Sequence, residues 1–310
     1  MVQEVAIDAS DIHTWAKPPS KNGERPTADP EASWSVKTKE YTDSTGEKRK
    51  KQESTFGYKM YAATDTKHTA VLAVDTKTGS TSDFKQVIPM VEKVEENLNG
   101  GKIDILSLDK GFDSEDIVLT CYKKYNIKAV VPPRDVPQSL TQLPVQDKEI
   151  PLIPAGNIVR DKYTGEVFCY DCSKTEPERH KMHYAGFDDS RTAHKFRCPM
   201  ATLGKRCPHF DLCNAGRNGS TSRQVRINME VDPRRFAPIY PKSSRWKKIY
   251  RNRTSVERYN GYVKEVLRLN DHCVRGLTAV HLRVLLSGIT VNIQTLLRIR
   301  QSKENNSKAA

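Results

Sequence analysis

The chain has 310 residues, with 51 Lys or Arg against 38 Asp or Glu and a formal net charge of +13. That length allows one large domain or two modest ones with a real core, and the positive excess points to a polyanionic partner, nucleic acid or a membrane surface. Seven unevenly clustered cysteines argue against a secreted disulfide framework, and Met1-Val2-Gln3-Glu4 is followed by the acidic Asp8 and Asp11 with no apolar stretch of signal-peptide length.

In chain order, Val5-Ala6-Ile7 is a short apolar run ending in Asp8 and reads as a buried strand. Residues 15–54, rich in Lys, Pro, Ser and Thr, read as a long mobile loop. Residues 56–64 alternate, with Tyr58, Met60 and Ala62 on one face, and residues 70–74 form a second apolar run before the turn signal Lys77-Thr78-Gly79-Ser80. The two predict an antiparallel pair. Ser82-Asp83 reads as a helix cap, followed by Phe84, Val87, Ile88, Val91, Val94 and Leu98 at helical spacing and a stop at Asn99-Gly100-Gly101. Residues 103–108 predict a buried strand ending in Asp109, Ser114 caps a helix running to about Tyr125, and residues 127–131 predict another strand closed by Pro132-Pro133.

Irregular, Pro-rich sequence follows to Pro154, then a segment bearing Cys and His over 168–213. Helical patterns cover 243–269 and 276–300. The second is the most apolar stretch of the chain, but Arg283, Asn292, Gln294 and Arg298 favour a buried helix over a membrane span. The polar tail 301–310 is expected to be disordered. The organisation expected is therefore a core over 1–133, an insertion over 134–242, and closing helices over 243–300 that complete the core.

Phosphoryl transfer on DNA with magnesium needs hard oxygen ligands, usually carboxylates on rigid strands with one more from elsewhere. Asp8 and Asp109 both end apolar runs, and on neighbouring strands they could converge on one metal. Either alone is as readily a strand or turn cap. Residues 246–264 read WKKIYRNRTSVERYNGYVK. On one continuous helix Tyr250, Arg253, Glu257 and Lys264 share a face, beside an apolar stripe of Val256, Tyr259, Val263 and Leu267. A carboxylate among cations and a phenol suits a metal ligand flanked by phosphate-binding groups, and equally a solvated face of ordinary ion pairs.

Tyr, two residues, Arg, three residues, Glu, six residues, Lys resembles the signature of bacterial insertion-sequence transposases of the DDE class, matched at Tyr250, Arg253, Glu257 and Lys264. Ile7-Asp8-Ala9-Ser10 is similar to that family's first-Asp motif and Leu108-Asp109-Lys110-Gly111-Phe112-Asp113-Ser114 to its second. Asp29-Pro30-Glu31-Ala32 and Gly57-Tyr58-Lys59 resemble segments found between the first strands in a subgroup. The element order also matches a ribonuclease H-like fold, an α/β mixed sheet flanked by helices with a Cys-rich insertion before the last catalytic helix. The resemblance implies that Asp8, Asp109 and Glu257 hold two magnesium ions (or manganese) and that Tyr250, Arg253 and Lys264 contact phosphates. Asp104, Asp113 or Asp116 could replace the second carboxylate and Glu265 the third. Metal-dependent cleavage and strand transfer at double-stranded transposon ends and target DNA are the implied activity, carried out by a homodimer on DNA in the bacterial cytoplasm at the nucleoid.

Cys169-Tyr170-Asp171-Cys172, then Cys198, Cys207 and Cys213 with His209, offer soft ligands for one structural zinc, four of the five cysteines sufficing. Buried free thiols are the plainer alternative. Residues 242–253 carry six cations and no acid, with Trp246 and Tyr250 interleaved, so Lys247 and Lys248 join the expected DNA track. The second basic stretch, Lys37, Lys39 and Lys48-Arg49-Lys50-Lys51, falls in the expected loop and could serve solubility alone. In the family, end recognition depends largely on helices ahead of the first Asp. Here that Asp is residue 8, so such a region is expected to be lacking, and the chain alone to bind duplex DNA weakly and with little preference. The competing readings are a nuclease of the same fold without strand transfer, and a decayed copy acting only as a zinc-containing DNA-binding protein.

Overall fold

A computed structural model describes residues 3–20, 25–43, 46–152, 157–171, 178–204, 223–241 and 243–309. The chain divides into two compact units, unit 1 from Met1–Phe112 with Ile249–Ala310, and unit 2 from Asp113–Lys248. The sequence placed the corresponding breaks at 133/134 and 242/243.

Unit 1 is built on a mixed sheet of β1 (Gln3–His13), β2 (Ser33–Thr42), β3 (Lys48–Asp65), β4 (Val71–Thr78) and β5 (Ile103–Ser107). The order runs β2-β3-β1-β5, with β4 also on β3. All pairings are antiparallel except β1 with β5, which are parallel. The expected alternation in β3 is there. Tyr58, Met60 and Ala62 face a core with Val256, Tyr259 and Val263, and with Val280, Val284 and Val291. Those residues sit on α4 (Thr254–Glu265) and α5 (Leu277–Ala309), while α1 (Val87–Asn97) buries Val87, Met90, Val91 and Val94. Ser82 makes no side-chain cap; Asp83 beside it instead accepts from Lys59 Nζ and Tyr61 Oη at 2.9 and 2.8 Å.

Residues 15–54 are not the structureless loop expected. Most of β2 and the first half of β3 pair with each other in a long hairpin. Alternating Lys and polar residues hid it, because a ribbon exposed on both faces carries no period-2 hydrophobic signal. Two motifs noted in the sequence meet below this hairpin. Buried Asp29 accepts from Thr14 Oγ1 and Tyr58 Oη, both at 2.6 Å, and from the Gly276 amide at 3.3 Å. Glu31 Oε2 accepts from the Leu277 amide at 2.9 Å. The Asp-Pro-Glu-Ala segment thus fastens the start of α5 to β3, and Asp29's donors offset the cost of burying its charge. Gly57 is required there: a Cβ would lie 2.2 Å from the Ile12 carbonyl oxygen.

The closing helices also differ from expectation. The 243–269 pattern is two helices, α3 (Ser244–Arg251) and α4, separated by a turn at Asn252 and Arg253. Asn252 leaves the helix and donates to Glu4 Oε2 at 3.3 Å. The tail expected to be disordered continues α5 as far as Ala309, where Lys, Glu, Asn and Ala carry no breaker and Arg300 pairs with Glu304 one turn on. Leu277–Asn305 is long and apolar enough to cross a membrane by length and composition. Its inner face packs in the core through small residues, and Asn292 clamps Val71 with paired hydrogen bonds of 2.7 and 2.9 Å. Its outer face shows seven leucines and isoleucines at 37–66% exposure, so the burial expected from the sequence holds on one side only.

Unit 2 holds α2 (Glu115–Tyr125) and β6 (Lys128–Val130). It also contains a four-stranded sheet in the order β10 (Glu178–Lys181), β9 (Val167–Asp171), β8 (Ile158–Asp161), β7 (Glu149–Pro151), and a three-stranded sheet β11 (His183–Asp188), β12 (Ala193–Arg197), β13 (Gln224–Asn228). Its core joins Ile158, Val167, Met182, Phe196, Val225, Ile227 and Phe236. His194 lies among Tyr184, Phe187, Phe236 and Tyr240, fully buried, with Nε2 2.9 Å from the Phe236 carbonyl oxygen. Burial pushes its pKa down to about 4 from an ordinary 6.5.

The native state therefore keeps His194 neutral while the unfolded chain takes up a proton near 6.5. This contribution to stability is complete above that value and lost as pH falls toward 4, a difference of roughly 3 kcal/mol at most. Amide exchange on β12 at pH 7 and 4.5 should show that loss in the parent chain and a flatter response in His194→Gln. Equal pH responses in the two proteins would rule the account out.

Candidate active site

The parallel rung between β1 and β5 sets Ala6 beside Ser107. Asp8 and Asp109 each stand two residues further along their segments, so the pairing brings them level. Val5-Ala6-Ile7 is buried as expected, but β1 does not end at Asp8; it runs on to His13 against β3. Asp109 lies just past β5, and its side chain is half-exposed.

Glu257 sits in the first turn of α4, where the helix N-terminus favours a negative charge. Arg253, at the N-cap of α4, pairs with Glu257 one turn along and approaches Asp109 Oδ1 at 3.9 Å. Its charge also acts on Asp8. One guanidinium thus lies in the common field of three carboxylates that are distant in sequence. Burial opposes the charge on Arg253, yet its pKa is raised, held there by Tyr250, Glu257, Asp109 and Asp8. Asp8 goes the other way. Burial pushes its carboxyl up to about 6 and the like charge of Asp109 adds to this, against a backbone hydrogen bond at Ala9 and the charges of Arg253 and Lys37. A single positive charge cannot neutralise three negative ones, and the most buried of the three shows the shortfall.

The turn between α3 and α4 corrects the single-helix picture. Tyr250 is on α3, off the face shared by Arg253, Glu257 and Lys264, and reaches the site by laying its ring 5.5 Å from the Arg253 guanidinium. Lys264, one face and two turns beyond Glu257, is partly buried; burial lowers its pKa, against the charges of Asp11 and Asp8. Asn260 was missed in the sequence. It donates to Asp8 Oδ2 at 3.1 Å from one turn beyond Glu257, and that i+3 spacing was the available signal. Asp11 and Lys37, paired at 2.6 Å, border the same region.

Among the alternatives, Asp113 is buried in unit 2 and accepts from the Arg134 amide at 2.7 Å. Asp116 and Glu265 are exposed on α2 and α4, and Asp104 is partly buried on β5. Lys247 and Lys248 are exposed on α3, but Trp246 between them and the expected track is buried. Cys169 lies on β9 and Cys198 just past β12. Cys172, Cys207, Cys213 and His209 lie outside the described residues. Among the described residues no three His, Cys, Asp or Glu side chains converge tightly enough to hold a metal as they stand; the carboxylates of the site gather on Arg253 instead.

No curated protein matches the chain. Among solved structures, a piggyBac transposase synaptic complex with hairpin DNA, determined by cryo-EM, aligns over 98% of this chain and 48% of its own, at 10% identity and a TM-score of 0.43. The present chain therefore spans about half the length of that protein. The family described as the transposase DDE domain matches residues 3–293, nearly the whole chain and all three carboxylates, and the chain belongs to that family.

Proposed function

We propose that the chain is the catalytic core of a bacterial insertion-sequence transposase, cutting DNA at the element's ends and joining it to a target, with Asp8, Asp109 and Glu257 as the ligands of a divalent metal. The observation that carries this reading is the gathering of those three carboxylates, from β1, the end of β5 and α4, around one cation. The donor set suits magnesium or manganese: it is all hard oxygen, it carries three negative charges against the one of Arg253, and burial, with the like charge of Asp109 added, pushes the Asp8 carboxyl up to about 6. Bound there, magnesium would supply Lewis-acid stabilisation of phosphoryl oxygens and ease the ionisation of a water or a DNA 3′-hydroxyl.

The protein's own groups have distinct tasks in this reading. Asn260 fixes one oxygen of Asp8 and so turns the other toward the site. With a divalent ion held by the carboxylates, Arg253 would be available to a phosphate near the reacting bond, with Tyr250 against its guanidinium. Lys264 adds a partly buried cation beyond Asp8. Lys247 and Lys248 extend the basic surface along α3. In the finer reading the protein acts as a homodimer on DNA at the nucleoid, and the Cys169–Cys213 region holds a structural zinc.

In a cleavage assay with magnesium, on the element's own terminal DNA, Asp8→Asn, Asp109→Ala and Glu257→Ala should each abolish cutting. Asp8→Asn should also raise the thermal midpoint of the metal-free chain by several degrees, because it removes a charge whose burial is unfavourable above pH 6. Full cutting by an Asp109→Ala, Glu257→Ala double variant would sink the assignment. Joined product in the same assay separates a transposase from a nuclease. For zinc, protein purified without chelator should contain about one metal ion per chain, and its removal should expose unit 2 to protease. Zinc-free protein with unchanged resistance would leave the cysteines as plain thiols.

A further inference from the structure

We propose that the β2–β3 ribbon is a second DNA-binding surface, an arm that lies along the duplex leading away from the carboxylate site; this rests on the DNA-acting reading above. β1 and β4 flank β3 only from Gly57 and Tyr58 onward. Residues 34–42 and 48–56 therefore pair with each other alone, as a two-stranded ribbon of nine residues a side, about 30 Å long at ~3.4 Å per residue. Among the described side chains outside its base, Val36, Thr38, Tyr41 and residues 49–54 are exposed, on both faces of the ribbon. An isolated two-stranded ribbon is marginally stable in water, so this one is built without the packing that usually sustains such a structure.

Its charge pattern adds to that difficulty and identifies the partner. The register sets Lys39 across from Lys51, a like-charge rung that weakens a ribbon, beside two opposite-charge rungs, Glu40 with Lys50 and Lys37 with Glu53; Glu53 also lies 3.9 Å from Lys51 Nζ. Lys48-Arg49-Lys50-Lys51 places four consecutive cations on one strand, two to each face. Six cations stand against four acids over residues 36–54. Two of those acids, Asp43 and Glu47, are at the turn: Asp43 builds it by accepting from the Glu47 amide at 3.0 Å, and Arg49 pairs with both, at 2.6 and 3.6 Å. The Lys39–Lys51 level between the turn and the base is the cationic belt of the arm. A polyanion laid on it relieves the repulsion that the free ribbon carries.

The base of the ribbon fixes which polyanion. Lys37 pairs with Asp11 at 2.6 Å, and its charge is felt at both Asp8 and Lys264. With a divalent ion on the carboxylates, a rod-like anion bound there would meet Lys37 first and the belt beyond it. Two paired strands match the ~12 Å width of the major groove, and the ribbon's length covers about nine base pairs of duplex at ~3.4 Å each.

The test uses the full chain with fluorescein-labelled duplex DNA, titrated by anisotropy over a range of salt. The Lys39→Gln, Lys50→Gln, Lys51→Gln variant should keep its circular dichroism, bind about tenfold or more weakly at physiological salt, and lose two to three units of slope in log K against log salt, at ~0.9 per phosphate contact. The Arg253→Gln, Lys264→Gln variant serves as the comparison. If it weakens binding while the ribbon variant matches the parent in affinity and slope, the arm is refuted and the catalytic reading stands. If the ribbon variant instead changes only sedimentation, the ribbon is a contact between copies and the proposal is overturned. If the parent chain binds no duplex at all, the arm fails together with the reading on which it rests.

Discussion

The organisation of unit 1 turns on a shortage of positive charge. Arg253 is the only cation paired directly with the gathered carboxylates among the described residues, and it has one charge for three. A strand, a strand end and a helix start bring their three acids into the field of one guanidinium. The guanidinium offsets part of their mutual repulsion, while burial, with the like charge of Asp109 added, holds the Asp8 carboxyl at about 6. The neighbouring structure supports the same arrangement: Asn260 steadies Asp8, and the turn at Asn252 lets Arg253 leave the line of α3 and enter the site.

Much of this could be read in the sequence, for identifiable reasons. Asp8 and Asp109 follow buried runs, and a parallel pairing between buried strands brings their ends level regardless of what lies between. Glu257 and Lys264 sit on one helix face because seven residues make nearly two turns. Tyr250 was noted, but its place on a separate helix was not, since the turn at Asn252 and Arg253 goes with a long-range contact to Glu4 that no local pattern carries. Asn260 was legible in spacing but not in chemistry, because an amide one turn from a glutamate has many other uses.

The ribbon and α5 were misread for opposite reasons. The ribbon has no buried face, so the periodicity that reveals strands elsewhere is missing from it. In α5 the apolar pattern runs all round, and the sequence could not tell that only the small residues Val280, Val284 and Val291 turn inward while the bulky ones point out. The Asp29 cluster illustrates a third case. Its residues were noticeable as short motifs, yet their purpose, tying the start of α5 to β3 across more than two hundred residues of chain, appears only in three dimensions.

Unit 2 is one uninterrupted stretch, whereas unit 1 is split into two pieces on either side of it. On the ribosome the first two acids emerge early, and the third follows only after all of unit 2 has been made. At ~5–20 residues per second the interval is on the order of ten seconds. During that time unit 2 can fold locally, but the sheet of unit 1 waits with Tyr58, Met60 and Ala62 uncovered until α4 and α5 arrive. A chain terminated anywhere before Glu257 therefore carries no complete set of acids, and its exposed sheet marks it for capture by chaperones and proteases. The interrupted order means that the three acids come together only in a chain translated past Glu257.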